Sequence, residues 1–284
     1  MCDKGTWVKD IHSNHLFQGF FHMKHDHSKI LLTDASGSIP ANHNGCRILK
    51  GLSGNTIWAS GRATEDINGH SINVLSALPT EHWTGNPFAL IDPMLPGFKH
   101  SSALYYHVQS IQDQEVRRII DMFFADTGLM RGFMSSPGSL KHHHAFPGGL
   151  AEHTVETLDM ASQICTTLSQ KEHALVIAAC LLHDTGKAFE YSGNYKHLSQ
   201  RGRLLGHEIT LLEWLSPLAD KIWSRGDPKR LMLFHLLTAK PAPQWTGIRH
   251  PRNRLVSIVR FADSWSAKAN PHSAHLSFKT TNSH

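Results

Sequence analysis

The chain has 284 residues, 40% of them apolar and 18% charged, with a formal net charge of +5. Global disorder is excluded by that composition, and no apolar run reaches the eighteen residues a membrane span needs. Cys2, Cys46, Cys165 and Cys180 are scattered, with no Cys-x-x-Cys pair, so reduced thiols in a cytoplasmic protein are expected instead of a disulfide framework or a thiolate zinc site. The first residues, MCDKGTWVKDIHSNHL, contain no apolar stretch of signal-peptide type.

The first eighty-odd residues read as β-structure. HLFQGFFHM and SKILLTDASG are rich in strand formers, and the second ends in Asp34-Ala35-Ser36-Gly37, strong turn chemistry. SIPANH follows, then NTIWASGRATEDINGHSINVLSAL, where Ile67-Asn68-Gly69-His70 predicts a hairpin turn. About five short strands in this length suit a small closed barrel of the OB type. Residues 83–100, with Pro87, Pro93 and Pro96, read as a linker. From Ser101 the hydrophobic period becomes helical: Val108, Ile111, Val116, Ile119 and Phe123 suit one or two amphipathic helices. Leu150, Thr154, Leu158, Ala161, Cys165 and Leu168 define the face of the next helix, with His153 at its border. EHALVIAACLLHDTGK is apolar nearly all round, which predicts a buried helix stopping at Gly186 as a C-cap. LLGHEITLLEWL, PKRLMLFHLLTA and NRLVSIVRFADSWSAK supply three more helices. The expected fold is therefore α+β multidomain. A barrel over 1–82, with a possible role in nucleic-acid binding, precedes the linker, an all-α bundle over 101–270 and a flexible tail over 271–284.

Charge is uneven along this frame. From Met1 to Gly85 seven basic residues balance seven acidic ones, whereas from Arg225 onward ten basic residues face two acidic ones. A local basic excess favours an anionic partner such as a phosphate backbone, although a solvated face explains it equally well on charge alone.

The chemistry concentrates in the helical part. The chain holds 23 histidines, so none counts without context. His183 and Asp184 end the most buried helix, where an ionised carboxylate is costly unless it is paired or binds a metal. A cap or a buried His-Asp hydrogen bond would explain that pair as well. Asp263 lies on the inward side of another apolar helix and presents the same problem. His153, His183, Asp184 and Asp263 together make an N/O donor set suited to a divalent first-row metal. His207 and His235, also in apolar surroundings, are candidates for a second ion together, although each taken alone is more often a satisfied core histidine than a ligand. His142, His143 and His144 precede Gly148-Gly149, which lets the backbone turn tightly into the His153 helix. They read as residues of the site rim or as a polar surface run.

The order HHHAFPGGLAEHT, LLHDTGK, GRLLGHE and FADSWSAK resembles the HD-domain metal-dependent phosphohydrolases, and among them the YhaM-type 3′-to-5′ exoribonucleases, which join an OB-fold to an HD domain. The resemblance implies a metal-dependent phosphodiesterase that trims single-stranded RNA or DNA from the 3′ end. It implies one or two ions of Mn²⁺, Mg²⁺ or Fe²⁺, which would activate a water. His153, His183, Asp184 and Asp263 would be the core ligands and His207 and His235 the further ones. Asp184, Lys187 and His207 would form the catalytic set, with Lys187 on phosphate. One departure stands out: after His235 the family shows Ser-His-His-Gly where this chain has Ala239-Lys240-Pro241-Ala242. The candidate nucleic-acid contacts are Lys240, Arg249, Arg252 and Arg254 in the basic stretch, His143 and His144 at the rim, and Trp58 beside Phe17 and Phe20 in the barrel, where a core role competes with base stacking. Two other functions fit the same features: an HD-type nucleotide phosphohydrolase, and a catalytically impaired nucleic-acid-binding accessory protein. The OB-like front argues against the first, and the altered signature favours the second.

Overall fold

The computed structural model of the chain describes residues 4–26, 29–42, 56–66, 69–79, 85–192, 195–241, 246–250 and 253–269. The expected turn residues Ile67 and Asn68, the basic-stretch residues Trp245 and Arg252, and the tail 271–284 lie outside them.

Strands β1 (Leu16–Asp26), β2 (Lys29–Asp34), β3 (Gly37–Asn42), β4 (Thr56–Asp66) and β5 (Gly69–Pro79) close a barrel in the order β1-β2-β3-β5-β4. The ladders are antiparallel except β3–β5, where Ala41 and Asn42 run parallel to Ile72 and Asn73. This is the OB-like barrel expected. Alternation sends Phe17, Phe21, Met23, Leu32, Ile57, Ala59 and Ile72 inward to a core separate from that of the helices. The register between β4 and β5 shifts after Ser60↔Ser76 to Gly61↔Val74, which leaves Leu75 as the bulged residue. Gly61 is required there, because a Cβ would stand 2.1 Å from the Asn73 carbonyl oxygen. Phe17 is 3% exposed and belongs to the barrel core. Phe20 and Trp58 face each other across β1 and β4 and are half-buried.

The helical part contains α1 (Ser101–Ser110), α2 (Gln114–Phe124), α3 (Thr127–Ser135), α4 (Gly149–Ile164), α5 (Gln170–Leu182), α6 (Gln200–Leu204), α7 (Gly206–Ala219), α8 (Pro228–Thr238) and α9 (Arg254–Ala269). Helix α5 is its axle. It opens with a Ser169/Glu172 capping box, and every residue from Ala174 to Leu182 is buried. It packs against α4, α8 and α9, and α4 packs against α9. The expected stop at Gly186 is not where α5 ends. The helix closes at His183, and Thr185–Phe189 forms a 3₁₀ turn in which Gly186 serves close approach: a Cβ there would lie 2.0 Å from the His207 carbonyl oxygen. The predicted helix LLGHEITLLEWL is likewise broken at Gly206, whose φ of +74° separates α6 from α7. Among the described residues no helix is long and apolar enough to cross a membrane.

The segment read as a linker is packed where it is described. Phe88 and Ile91 are 0% and 2% exposed and belong to the helical core, with Phe88 4.8 Å from the Phe124 ring centroid. The barrel docks through this segment: Ala35 N donates to Ala89 O at 2.8 Å, and the Trp7 and Tyr105 rings meet edge-on at 4.8 Å.

Two truncations test this organisation. A chain starting at residue 85 keeps the whole helical core and should unfold cooperatively on heating. A chain starting at Ser101 loses Phe88 and Ile91 and should be less stable by about 3–5 kcal/mol or more, the cost of emptying a large aromatic site. Equal melting temperatures would show that the segment does not belong to the helical fold.

Candidate metal centre

Three close backbone approaches set the site. Gly148, at the N-cap of α4, has φ +82°, and a Cβ on it would meet Gly97 N and the Pro96 carbonyl carbon at 2.8 Å. Gly149 lies so near the His144 carbonyl oxygen that a Cβ would be 2.1 Å away. The third approach is that of Gly186 to His207. Together they start α4 one turn before His153 and bring the His183-Asp184 turn against the start of α7.

Four side chains then converge from α4, the end of α5, and α9. The Nε2 atoms of His153 and His183 are 3.2 Å apart. Asp184 Oδ2 is 3.5 Å from each, and Asp263 Oδ1 is 3.2 Å from His153 and 3.7 Å from His183. Two ligand atoms about 2.1 Å from one ion and at right angles around it lie roughly 3.0 Å apart, so these spacings fit the edges of one coordination sphere. His183 Nδ1 donates to Cys180 O at 2.8 Å, which leaves its Nε2 lone pair for an ion. Two imidazole nitrogens and two carboxylates form a mixed N/O set that fits a divalent first-row ion. His153, His183 and Asp263 also stand out as a metal-ligating group by the closeness of their donor atoms.

The electrostatics follow from burial. Burial works against a charged His183, but Asp184 and Asp263 outweigh it and its pKa is pushed up to about 9. Burial would likewise raise both aspartates. Instead Lys187 with the histidines holds Asp184 well below the usual carboxylate range, and hydrogen bonds from His153 and His183 do the same for Asp263. Lys187 Nζ donates to Asp184 Oδ2 at 2.6 Å and to Gly138 O at 2.8 Å.

The remaining candidates are placed as follows. His207 sits on the other side of Asp184, with Nε2 3.5 Å from Oδ1 and Nδ1 3.3 Å from Glu190 Oε2. His235 Nε2 is buried without a hydrogen-bond partner, and the adjacent groove of about 210 Å³ has Leu236, Ala239 and Lys240 in its wall. Lys240 Nζ is held by both carboxylate oxygens of Glu208, at 2.7 and 2.5 Å. Arg254 pairs with Glu172 at 3.0 Å, and Arg249 is exposed. Of the three consecutive histidines, His142 is exposed and His143 is half-buried, its ring 5.4 Å from that of His153. Burial and then the neighbouring His153 and Lys187 push His143 down to about 4. His144 is not a rim residue: its side chain is 0% exposed, so no strand in solution can reach it. Glu156, Glu190, Glu208 and Ser266 are neighbours of the centre that sequence reasoning passed over. Only Ser266 carried a signal, three residues after Asp263 on the same helix face.

Residues 150–268 match the family described as HD domain. More particularly, the chain is similar to the 3′-5′ exoribonucleases YhaM of two bacilli. With that of Bacillus licheniformis it is 24% identical over 177 residues, 62% of this chain and 56% of the relative. With that of Bacillus subtilis (strain 168) it is 30% identical over 139 residues, 49% and 44% of the two chains. The matches thus span about half the length of these relatives. No solved structure matches the chain.

The pKa directions give a test on metal-free protein. The raised pKa of His183 contributes stability that is fully present below about pH 6.5, the unfolded value, and is lost as pH rises through about 9. The depressed aspartates contribute stability that is present above about pH 4 and lost as pH falls further. Melting temperature in EDTA should therefore peak between about pH 4 and 6.5. Saturating Mn²⁺ should move the maximum upward, because the ion replaces the proton on His183. A curve that Mn²⁺ leaves unchanged would remove the centre.

Proposed function

We propose that the chain is a metal-dependent phosphodiesterase that shortens single-stranded RNA from its 3′ end. The observation that carries this reading is the convergence of two imidazole Nε2 atoms and two carboxylates beside a groove, with a lysine on the same carboxylate. The OB-like barrel, and the 3′-5′ exoribonuclease activity named for both relatives, support a strand as the substrate.

His153, His183, Asp184 and Asp263 would hold a divalent ion, which supplies Lewis-acid polarisation of a phosphodiester oxygen and a more acidic bound water. Lys187 has three donors, two of them committed to Asp184 and Gly138; the third is available for a phosphate oxygen. His207, oriented by Glu190 and partly open to the groove, moves the proton of the reaction. Exposed Arg249 extends the phosphate contacts. Arg254 contributes less, since Glu172 already neutralises it.

Digestion of 5′-labelled RNA with Mn²⁺ should give a ladder shortening from the 3′ end, and Asp184→Asn should abolish it. His207→Ala should lower kcat about 100-fold with KM little changed, the scale of one proton-transfer group. Cleavage of mononucleotides with intact oligomers would point to the nucleotide phosphohydrolase, and metal uptake without any hydrolysis to the impaired binding protein. Arg249→Gln should reduce the log–log salt slope of strand binding by roughly 0.7, the value for one phosphate contact on a single strand. Arg254→Gln should change it less.

A further inference from the structure

Ser266 lies on α9, three residues after Asp263, and is 0% exposed. Its Oγ is 2.8 Å from His153 Nδ1 and 2.7 Å from Glu156 Oε2. A serine hydroxyl has one proton, and an ionised carboxylate can only accept. The proton therefore goes to Glu156, the nearer and charged acceptor, and not to the His153 carbonyl at 3.4 Å. The oxygen is then left to accept from His153 Nδ1–H. That assignment puts the imidazole proton on Nδ1 and the lone pair on Nε2, the atom facing His183 and Asp263.

We propose that Glu156 and Ser266 form a relay that fixes the tautomer and ring orientation of His153, so that its Nε2 is presented to a divalent ion. Both are positioning residues. His183 receives the same service from a backbone carbonyl, Cys180 O, which a side-chain substitution does not remove. His153 depends on side chains for it. The outer end of the relay is closed by His144, whose Nε2 stands 3.1 Å from Glu156 Oε2 and whose backbone is held at φ +52°. The neighbouring Glu152 does not turn this cluster into a second ion site, because Lys99 Nζ at 2.7 Å and His100 Nε2 at 3.1 Å already cover its Oε2. The relay also ties α9 to α4, so it fixes the spacing of Asp263 to His153 along with the ring.

The inference rests on the reading that the centre holds a divalent ion, and calorimetric titration of the full metal-free chain with Mn²⁺ separates the two. Ser266→Ala should weaken Mn²⁺ binding by about 10- to 100-fold, the usual effect of removing an outer partner of a ligating histidine. Glu156→Gln should weaken it in the same direction. Its side chain is 38% exposed, so this variant remains informative even where Ser266→Ala perturbs folding. The double variant should bind no more weakly than Ser266→Ala alone, since the carboxylate acts through the hydroxyl and not as a bare charge on the ion. Wild-type binding by Ser266→Ala would overturn the relay and leave the metal centre standing. So would an undiminished effect of Glu156→Gln in the Ser266→Ala background. A wild-type chain that takes up no Mn²⁺ would overturn the centre and the relay together.

Discussion

The structure is organised around a charge problem: two carboxylates, Asp184 and Asp263, meet two imidazoles at 3.2 to 3.7 Å where the buried helix α5 ends. Carboxylates taken out of water need compensating positive charge. Lys187 supplies one cation and His183, pushed up to about 9 by the two aspartates, supplies another, and the aspartates stay ionised. A divalent ion held by these residues would solve the same problem with two positive charges at one point, and since it would compete with the proton on His183, its affinity would depend on pH. The apolar wall behind it, from Ala174 to Leu182, excludes water from one side and leaves the groove as the open side.

Holding these groups at such distances requires backbones to approach more closely than any Cβ permits. Gly149 against the His144 carbonyl and Gly186 against the His207 carbonyl are the two tightest approaches around the centre. The first places His144 over Glu156 and so supports His153 from outside. The second carries Asp184 between the core ligands and His207, with one oxygen toward each. Packing and chemistry are inseparable here: a methyl group at either glycine would displace a ligand-bearing segment and not merely crowd a surface.

Much of this was legible in the sequence, for identifiable reasons. The barrel strands alternate cleanly around strong turns, and α5 is apolar on all faces, so period and composition locate both. Asp184 and Asp263 stand out in the sequence because acids in apolar helices are conspicuous, and the structure brings His153 and His183 beside them. The errors share a cause. Gly186 was read as a C-cap because a glycine after an apolar helix ordinarily relieves a left-handed residue, whereas here it relieves a contact with a chain segment twenty-one positions away. The proline-rich segment before Ser101 resembled a linker because irregular backbone says nothing of burial, and Phe88 reaches the helical core without any helical period. His144 was placed at the rim because consecutive histidines look polar; only the Gly149 approach puts its ring inside. Glu156 and Glu190 carry no sequence signal, and only the fold brings them beside Ser266 and His207.

The altered signature after His235 takes a definite meaning from the groove. A second ion would need donors on the far side of Asp184. Of the two histidines available by resemblance, His207 contacts Asp184, and His235 Nε2 is buried without a hydrogen-bond partner. His207 is itself committed to Glu190 through Nδ1. Of the residues at the altered signature, Ala239 has no side-chain donor atom and Lys240 is a cation already bound to Glu208. The Lys240 ammonium takes up the Glu208 carboxylate, and the two charges largely offset each other. The replacement of Ser-His-His-Gly by Ala239-Lys240-Pro241-Ala242 thus removes two imidazoles and adds an ammonium beside the groove.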